Sequence, residues 1–359
     1  MTASESKKII ITRGKLMKAA VFYRSGGPEE IQIVDVPRPQ IKRGQVLVQV
    51  RACGLNHFDL LVLREADPAE LTFPFWGGAD IVGVVAEVDS EVRQFKPGDR
   101  VVVNPSLYCG RCEYCIAGEE SLCTDYGIIG DSIPGGFAEF VAVDEGSLMS
   151  LPDDISFEEA AAVPLVFQTA WRALMSQAQV RLGEDVLILG ASGGVGTAAI
   201  QIAKLVGARV FAITSSQEKM SQAQKMGADV VLNRKGGDYW TELARLTKNR
   251  GLDVVVESVG AATWAQSLKS LAKGGRLVTY GRTTGRIGET DIRLIFWNQL
   301  HIIGSTMANR REFREVMQFI FQGRLHPVID TVFPLEQARI AYERLSTGAQ
   351  FGKVILKIA

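Results

Sequence analysis

The fold is decided by the stretch Val186-Leu-Ile-Leu-Gly-Ala-Ser-Gly-Gly-Val-Gly196. Its apolar start predicts a buried strand that runs directly into a glycine-rich turn, and a helical segment follows at 197–206. The chain then continues with short apolar strands at 210–214, 230–232, 254–257 and 276–280, with another helical segment at 216–226. Because strands that alternate with helices pair in parallel, the sequence predicts an α/β fold with a doubly wound parallel sheet.

The turn itself has the features of a dinucleotide site. A strand, a tight glycine turn and a helix N-terminus together bind a pyrophosphate, because the first helical amides and the helix dipole both favour an anion. The predicted cofactor-binding residues here are Ala191, Gly193, Gly194, Val195 and Gly196, with alanine at the first glycine position of the G-x-G-x-x-G pattern. The alternative is a glycine-rich turn without a ligand.

The end of the next predicted strand favours one dinucleotide over the other. Enzymes that use NAD place Asp or Glu there to bind both ribose hydroxyls, and the segment 210–219 has no acid at that point. Ser215 and Ser216 are candidate donors to a 2′-phosphate, and Lys219 and Arg234 are candidate cations. The sequence therefore favours NADPH (NADP+) over NADH. The alternative is that Ser216 only caps a helix and that both cations are solvated.

Four of the five cysteines lie close together, as Cys109, Cys112, Cys115 and Cys123. Four thiolates at this spacing are typical of a closed tetrahedral zinc site, which leaves no position for water or substrate and is therefore structural. An iron–sulfur cluster usually has a shorter last gap followed by proline, whereas Thr124 follows here. A metal-free cluster in a reducing compartment is the remaining alternative.

Composition and length narrow the class of protein. The 359 residues favour two domains, and 40 basic against 40 acidic residues give no field that would attract nucleic acid or an anionic membrane. No segment has the length and hydropathy of a membrane span or a signal peptide, so we expect a cytoplasmic protein. A convincing strand starts at Met17, and residues 1–16 are interpreted as an N-terminal extension or an upstream start.

Several motifs in combination resemble the medium-chain dehydrogenase/reductase superfamily of zinc-type alcohol dehydrogenases and quinone oxidoreductases. They are the cysteine cluster, the glycine turn, Lys96-Pro-Gly-Asp-Arg-Val101, Gly135-Gly-Phe-Ala-Glu-Phe140 and Phe351-Gly-Lys-Val354. The resemblance implies a GroES-like β-rich catalytic domain at 17–163, completed by 305–359, and a Rossmann domain at 164–304. It also implies a homodimer or homotetramer, and 299–304 is an apolar segment suited to pairing between sheet edges.

The catalytic zinc site of that family is not preserved. In Cys53-Gly-Leu-Asn-His-Phe-Asp59 the family's Asp is kept and Cys53 remains, but Gly-His-Glu has become Gly78-Ala79-Asp80 and the third ligand position falls near Leu165. Since neither alanine nor leucine binds zinc, no catalytic Zn2+ is expected. A residual metal held by Cys53, Asp59 and Asp80 is the alternative.

The loss of that metal favours one type of chemistry. Oxidation of an alcohol develops an alkoxide that zinc stabilises, whereas reduction of an enone or quinone spreads the charge over an enolate. The metal-poor members that this chain resembles reduce enones, quinones and other activated carbonyl substrates with NADPH, and they imply Asn56, His57 and Asp59 as catalytic residues. Asn56 would donate to the carbonyl or the ribose, and His57 would contact the pyrophosphate or donate a proton. Three alternatives remain: Asn56 and His57 are structural, the protein is an alcohol dehydrogenase, or it is a non-catalytic, crystallin-like NADPH-binding protein.

Overall fold

The computed structural model describes residues 15–67, 69 and 71–358. Most of the segment interpreted as an N-terminal extension lies outside the described residues, and the first strand begins at Leu16. No helix within the described part of the chain is long and apolar enough to cross a membrane.

The first half of the chain forms β-structure, as the sequence predicts. Its strands are β1 (Leu16–Val21), β2 (Gln32–Pro37), β3 (Gln45–Leu55), β4 (Asp80–Val88), β5 (Arg100–Val103), β6 (Ser106–Leu107), β7 (Gly127–Ile128), β8 (Phe140–Asp144) and β9 (Leu148–Ser150). Six further strands, in the second half, are β10 (Asp185–Ile188), β11 (Arg209–Thr214), β12 (Val230–Asn233), β13 (Leu252–Glu257), β14 (Leu271–Thr279) and β15 (His301–Gly304). The chain ends with β16 (Ile329–Pro334) and β17 (Lys353–Lys357).

The helices connect and cover these strands. They are α1 (His57–Glu65), α2 (Glu113–Ile116), α3 (Phe157–Ala160), α4 (Pro164–Trp171), α5 (Gly194–Leu205), α6 (Gln217–Lys225), α7 (Tyr239–Leu246), α8 (Trp264–Lys269), α9 (Ile292–Asn298), α10 (Arg310–Phe321) and α11 (Ala338–Ser346). A π-helical turn at Arg172–Gln177 extends α4.

The strands β10 to β15 confirm the predicted parallel sheet. Their order is β12-β11-β10-β13-β14-β15, and every neighbouring pair is parallel. The strand order reverses between β10 and β13, so that a crevice opens beyond the carboxyl ends of these two strands. The glycine turn follows β10 directly and therefore lies in this crevice.

The other large sheet is completed by the end of the chain. Its strand order is β16-β17-β3-β4-β5-β9, with β8 also paired to β3, and β17 runs antiparallel to β3. The two C-terminal strands thus belong with the N-terminal half in space, as the resemblance implies. The exact domain boundaries at 163/164 and 304/305 stay a prediction.

The starts of two helices are set by their capping residues. Ser156 and Glu159 form a capping box at the start of α3, and this helix ends after four residues, before Pro164 begins α4. The helix expected from Thr197 starts earlier, at Gly194, with Gly193 as its N-cap. Gly194 and Gly196 therefore lie in the first turn of the helix.

Candidate active site

The glycine turn packs closely at one glycine and leaves space at another. A Cβ atom at Gly196 would lie 2.4 Å from the carbonyl oxygen of Gly190, so only glycine lets α5 pack against the end of β10. At Gly193 the nearest atom to a Cβ would be 3.5 Å away, which is ordinary contact. Ala191 is buried and donates its amide to Ile213. The first amides of α5, including that of Val195, have no helical acceptor, and the turn fits a dinucleotide pyrophosphate.

The residues expected to select the dinucleotide lie around the end of β11. Ser216 caps α6 through a hydrogen bond from the amide of Lys219, and Ser215 precedes it, half-buried. The Lys219 ammonium is buried and donates to the carbonyl of Gly348 at 2.6 Å. Burial lowers the pKa of Lys219, and the nearby Arg234 adds to this effect. Arg234 itself is exposed.

A buried polar group at the end of β11 lacks a hydrogen-bond partner within the described part of the chain. The buried hydroxyl of Thr214, the last residue of β11, has no hydrogen-bond partner among the described residues. An orphaned hydroxyl inside a protein is costly unless a ligand or water satisfies it. Thr214 lies directly before Ser215, and its carbonyl accepts a hydrogen bond from the amide of Arg234 at 2.9 Å.

A buried ion pair joins residues from three distant segments beside the crevice. The Lys353 ammonium donates to Asp80 Oδ2 at 2.6 Å, to Asn56 Oδ1 at 2.7 Å and to the carbonyl of Leu55 at 2.6 Å. Asn56 in turn donates to Asp80 Oδ2 at 2.9 Å, and the amide of Leu165 donates to Asp80 Oδ1. All three N–H groups of the ammonium are thereby used.

Lys353 of this ion pair also packs against the glycine turn. A Cβ at Gly194 would lie 2.8 Å from Lys353 Cδ, and the amide of the preceding Gly352 donates to the Ser192 carbonyl at 2.9 Å. The same strand thus positions the glycine turn and holds Asn56. Sequence reasoning missed the role of Lys353, although a charged residue at the start of the apolar strand β17 is a signal that could have indicated it.

Asp59 supports the start of α1 and the turn that faces it. Its carboxylate accepts hydrogen bonds from the amides of Asn56 at 2.7 Å and Gly78 at 3.0 Å. Burial raises the pKa of Asp59 to about 7, although the two amides and Lys353 oppose this shift. The geometry therefore gives Asp59 a structural task, since both of its oxygens face backbone amides.

His57 is the first residue of α1 and reaches solvent in the cleft. Surrounding protein atoms lower its pKa, and the positive charge of Arg64 lowers it further. The imidazole is therefore neutral at neutral pH and keeps one N–H donor. The structure brings Asn56, His57 and Asp59 together at one end of α1, with His57 the most accessible.

The residues present do not fit a catalytic zinc. Ala79 and Leu165 offer no ligand atom, and both oxygens of Asp80 are already hydrogen-bonded. Cys53 is fully buried, and burial raises the pKa of its thiol well above the usual range, with Asp59 and Asp80 adding to the effect. Within the described residues, Cys53, Asp59 and Asp80 do not form a metal-sized cluster.

The four-cysteine cluster, in contrast, fits zinc closely. The Sγ atoms of Cys109, Cys112, Cys115 and Cys123 all lie within 4.8 Å of one another. Backbone amides point at the sulfurs, and those of Cys115 and Thr124 lower the pKa of Cys112 to about 6. Amides that stabilise thiolates are the usual surroundings of a structural zinc site. These cysteines would hold the ion, which would cross-link the lobe between β6 and β7.

A buried charge network connects this lobe to the crevice. Arg172, beyond the end of α4, pairs with Glu119 of the lobe at 3.0 Å and with the buried Glu312 of α10 at 2.8 Å. Because the other end of α4 donates its Leu165 amide to Asp80, one helix links the cysteine lobe to the Lys353 network. These long-range pairs have no local signal in the sequence.

Comparisons with known proteins agree with this geometry. Residues 42–153 match the family described as alcohol dehydrogenase GroES-like domain, and residues 194–322 match the family described as zinc-binding dehydrogenase. The acryloyl-coenzyme A reductase of Metallosphaera sedula is 35% identical, over 95% of this chain and 99% of that protein. The quinone oxidoreductase of Mus musculus is 33% identical, over 96% and 99%.

A solved structure shows the same architecture. An NAD-dependent alcohol dehydrogenase superposes with a TM-score of 0.91 and 42% identity, over 96% of this chain and 100% of that chain. The expected GroES-like and Rossmann architecture is thereby confirmed. The chain belongs to the medium-chain dehydrogenase/reductase superfamily, as an NAD(P)-dependent oxidoreductase that keeps the four structural-zinc cysteines but lacks the ligands of a catalytic zinc.

Proposed function

We propose that this oxidoreductase uses NADPH to reduce carbon–carbon double bonds conjugated to a carbonyl, as in enones, quinones and unsaturated thioesters, without a catalytic zinc. The observation that carries the proposal is the Lys353–Asp80–Asn56 network, which engages the carboxylate of the altered zinc motif Gly78-Ala79-Asp80. Two relatives, the quinone oxidoreductase and the acryloyl-coenzyme A reductase, are named for substrates of this type.

Bound NADPH would supply a hydride to the β-carbon of the double bond. The residues of this chain then have two tasks, which are to stabilise negative charge on the carbonyl oxygen and to allow a proton to reach the α-carbon. His57 is proposed to donate a hydrogen bond from its one N–H to the carbonyl oxygen, because its neutral imidazole is exposed, and the proton that adds to the α-carbon would come from water. Asn56 and Asp59 are proposed to hold α1 and the Gly78 turn in place, since their polar atoms are engaged with each other, with Lys353 and with Asp80.

The experiment combines zinc content with turnover. Elemental analysis of untagged protein is expected to give one zinc per chain, and NADPH oxidation is expected with an enone such as methyl vinyl ketone.

A second function, alcohol dehydrogenation, is favoured by the 42% identity to an NAD-dependent alcohol dehydrogenase. Two zinc ions per chain, with alcohol-dependent reduction of NAD(P)+ that a chelator abolishes, would support that function instead.

The preference for NADPH is proposed to depend on Arg234. Lys219 is already bound to Gly348, whereas Arg234 is exposed near it and pairs with no carboxylate among the described residues. We expect Arg234→Gln to raise the KM for NADPH about tenfold, since a charge-assisted hydrogen bond to phosphate is lost, and to leave the KM for NADH unchanged.

The matched control for this change is Lys235→Gln, which removes the neighbouring exposed cation. Steady-state kinetics with both cofactors gives the ratio of KM values for each variant. An equal change for NADH and NADPH in Arg234→Gln, or the same change in the control, would count against the assignment.

The protein is proposed to form a homo-oligomer through the edge of its parallel sheet. β15 is the edge strand, and the apolar side chains of Ile292, Phe296 and Trp297 on α9 are between 63% and 74% exposed. Exposed apolar side chains on the helix that precedes an open edge strand are typical of an interface between copies.

Trp297→Glu is expected to convert the oligomer to monomers, because it places a charge in this interface. Light scattering after size-exclusion chromatography measures the change in mass. Ile340→Glu, at a half-exposed apolar position on α11, is the matched control and should keep the oligomer. A Trp297→Glu protein with unchanged mass would place the interface elsewhere.

A further inference from the structure

Three arginines lie around the C-terminal end of α1. Arg64 is the penultimate residue of the helix, and Arg282 and Arg286 lie in the loop that follows β14. All three are exposed. Because β14 is parallel to β10 and β13, its following loop lies at the same edge of the sheet as the crevice. The arginines therefore lie where α1 and the crevice edge of the parallel sheet meet.

The loop is fixed in this position. The Arg282 guanidinium forms two hydrogen bonds with Glu65, at 3.1 and 2.8 Å, which join the two sides of the cleft. At its base, Thr283 and Thr284 donate to the carbonyls of Ser258 and Val259. Arg282 and the start of this loop are therefore held in place by hydrogen bonds.

The charge around this point is positive. The hydrogen bonds from Arg282 lower the pKa of Glu65, and the charge of Arg286 lowers it further. Glu65 is the acidic partner of Arg282, whereas Arg64 and Arg286 pair with no carboxylate among the described residues. Two guanidinium groups near Glu65 therefore remain available to an anion, and guanidinium is well suited to phosphate.

We infer that this arginine cluster binds the phosphate-bearing end of a thioester substrate of the coenzyme A type, while its unsaturated acyl group reaches the inner end of α1. The inference rests on the proposed function and narrows its substrate class. His57 and Arg64 are seven residues apart on α1, which corresponds to about 10 Å along the helix axis. A simple enone or quinone cannot contact both ends of the helix, whereas a thioester with a pantetheine arm and phosphates can.

The test compares two thioesters that share the reacting group. Crotonyl-coenzyme A carries the phosphates, and the crotonyl thioester of N-acetylcysteamine does not. The double variant Arg64→Glu/Arg286→Glu is expected to lower kcat/KM for crotonyl-coenzyme A at least about tenfold, because two favourable charge contacts become repulsive. The value for the N-acetylcysteamine thioester should fall by much less, because for this substrate only the change of the Arg64 charge near His57 matters, and the KM for NADPH should not change. Arg311→Glu, an exposed arginine on α10, is the matched control and should affect neither substrate.

The other outcomes distinguish a failure of this inference from a failure of the proposed function. Equal kcat/KM values for the two thioesters in the unmodified protein, or an equal loss for both in the double variant, would overturn the inference and leave the proposed function standing. A raised KM for NADPH in the double variant would assign the arginines to the cofactor and also overturn it. Without turnover of any enone or thioester the proposed function fails, and calorimetric binding of free coenzyme A to the NADP+-loaded protein then decides about the arginines alone.

Discussion

Lys353→Met is expected to lower the free energy of unfolding by about 3–5 kcal/mol, because it leaves the Asp80 carboxylate buried without its cation. Lys353 is 3% exposed and Asp80 is fully buried, so water cannot replace the lost ammonium. Asn56 also loses a donor, and the strand that contacts the glycine turn loses its anchor. We therefore expect kcat/KM to fall as well, by about 100-fold if the site shifts by an ångström.

Urea unfolding followed by circular dichroism measures the change in stability. Lys357→Met is the matched control, since this lysine lies on the same strand but forms an exposed ion pair with Glu158. It should change the free energy of unfolding by less than about 1 kcal/mol. The double variant Lys353→Met/Asp80→Asn should recover part of the loss, because it removes the unpaired charge. If the double variant is no more stable than Lys353→Met, the unpaired carboxylate is not the cause.

Cys112→Ser is expected to reduce the zinc content from one per chain to nearly none and to unfold the lobe between β6 and β7. A structural site with three thiolates and a hydroxyl binds zinc far more weakly, and in small zinc domains the metal contributes about 10–16 kcal/mol of folding free energy. The loss of structure in the lobe should extend to α4, because Glu119 in the lobe pairs with Arg172.

Hydrogen exchange with mass spectrometry distinguishes the lobe from the rest of the chain. Residues 105–130 should lose protection in Cys112→Ser, whereas the parallel sheet should keep it. Cys53→Ser is the matched control, since Cys53 is buried but lies outside the cysteine cluster, and this variant should keep one zinc per chain. Full zinc content in Cys112→Ser would contradict the four-thiolate site.

The features that could be predicted from the sequence are those with a local cause. The glycine turn and the cysteine cluster each lie within about fifteen residues, and their spacing reflects the geometry of one ligand. The parallel sheet follows from the alternation of strands and helices. Asn56 and His57 were identified through the family motif, which marks the segment but not the partners of each side chain.

The partners depend on contacts between distant segments. Lys353 and Asp80 are 273 positions apart, and Arg172 and Glu312 are 140 apart. No periodicity or short motif encodes such pairs, because they arise only when the sheets and helices pack. The same reason explains Lys219, which local sequence places at a ribose phosphate but which the structure places against the carbonyl of Gly348.

The position of β17 has a consequence for how the protein is made. A ribosome synthesises β3 long before β17, since Leu55 and Lys353 are 298 positions apart, and β3 pairs with β17 along one side. All strands of the parallel sheet leave the ribosome before β16 and β17 do. The nascent chain can therefore complete the parallel sheet first. Until β17 is made, β3 in the other large sheet keeps an open edge that can pair with other chains. Pairing of β17 with β3 then closes that edge, and the hydrogen bond from Gly352 to Ser192 docks it on the glycine turn.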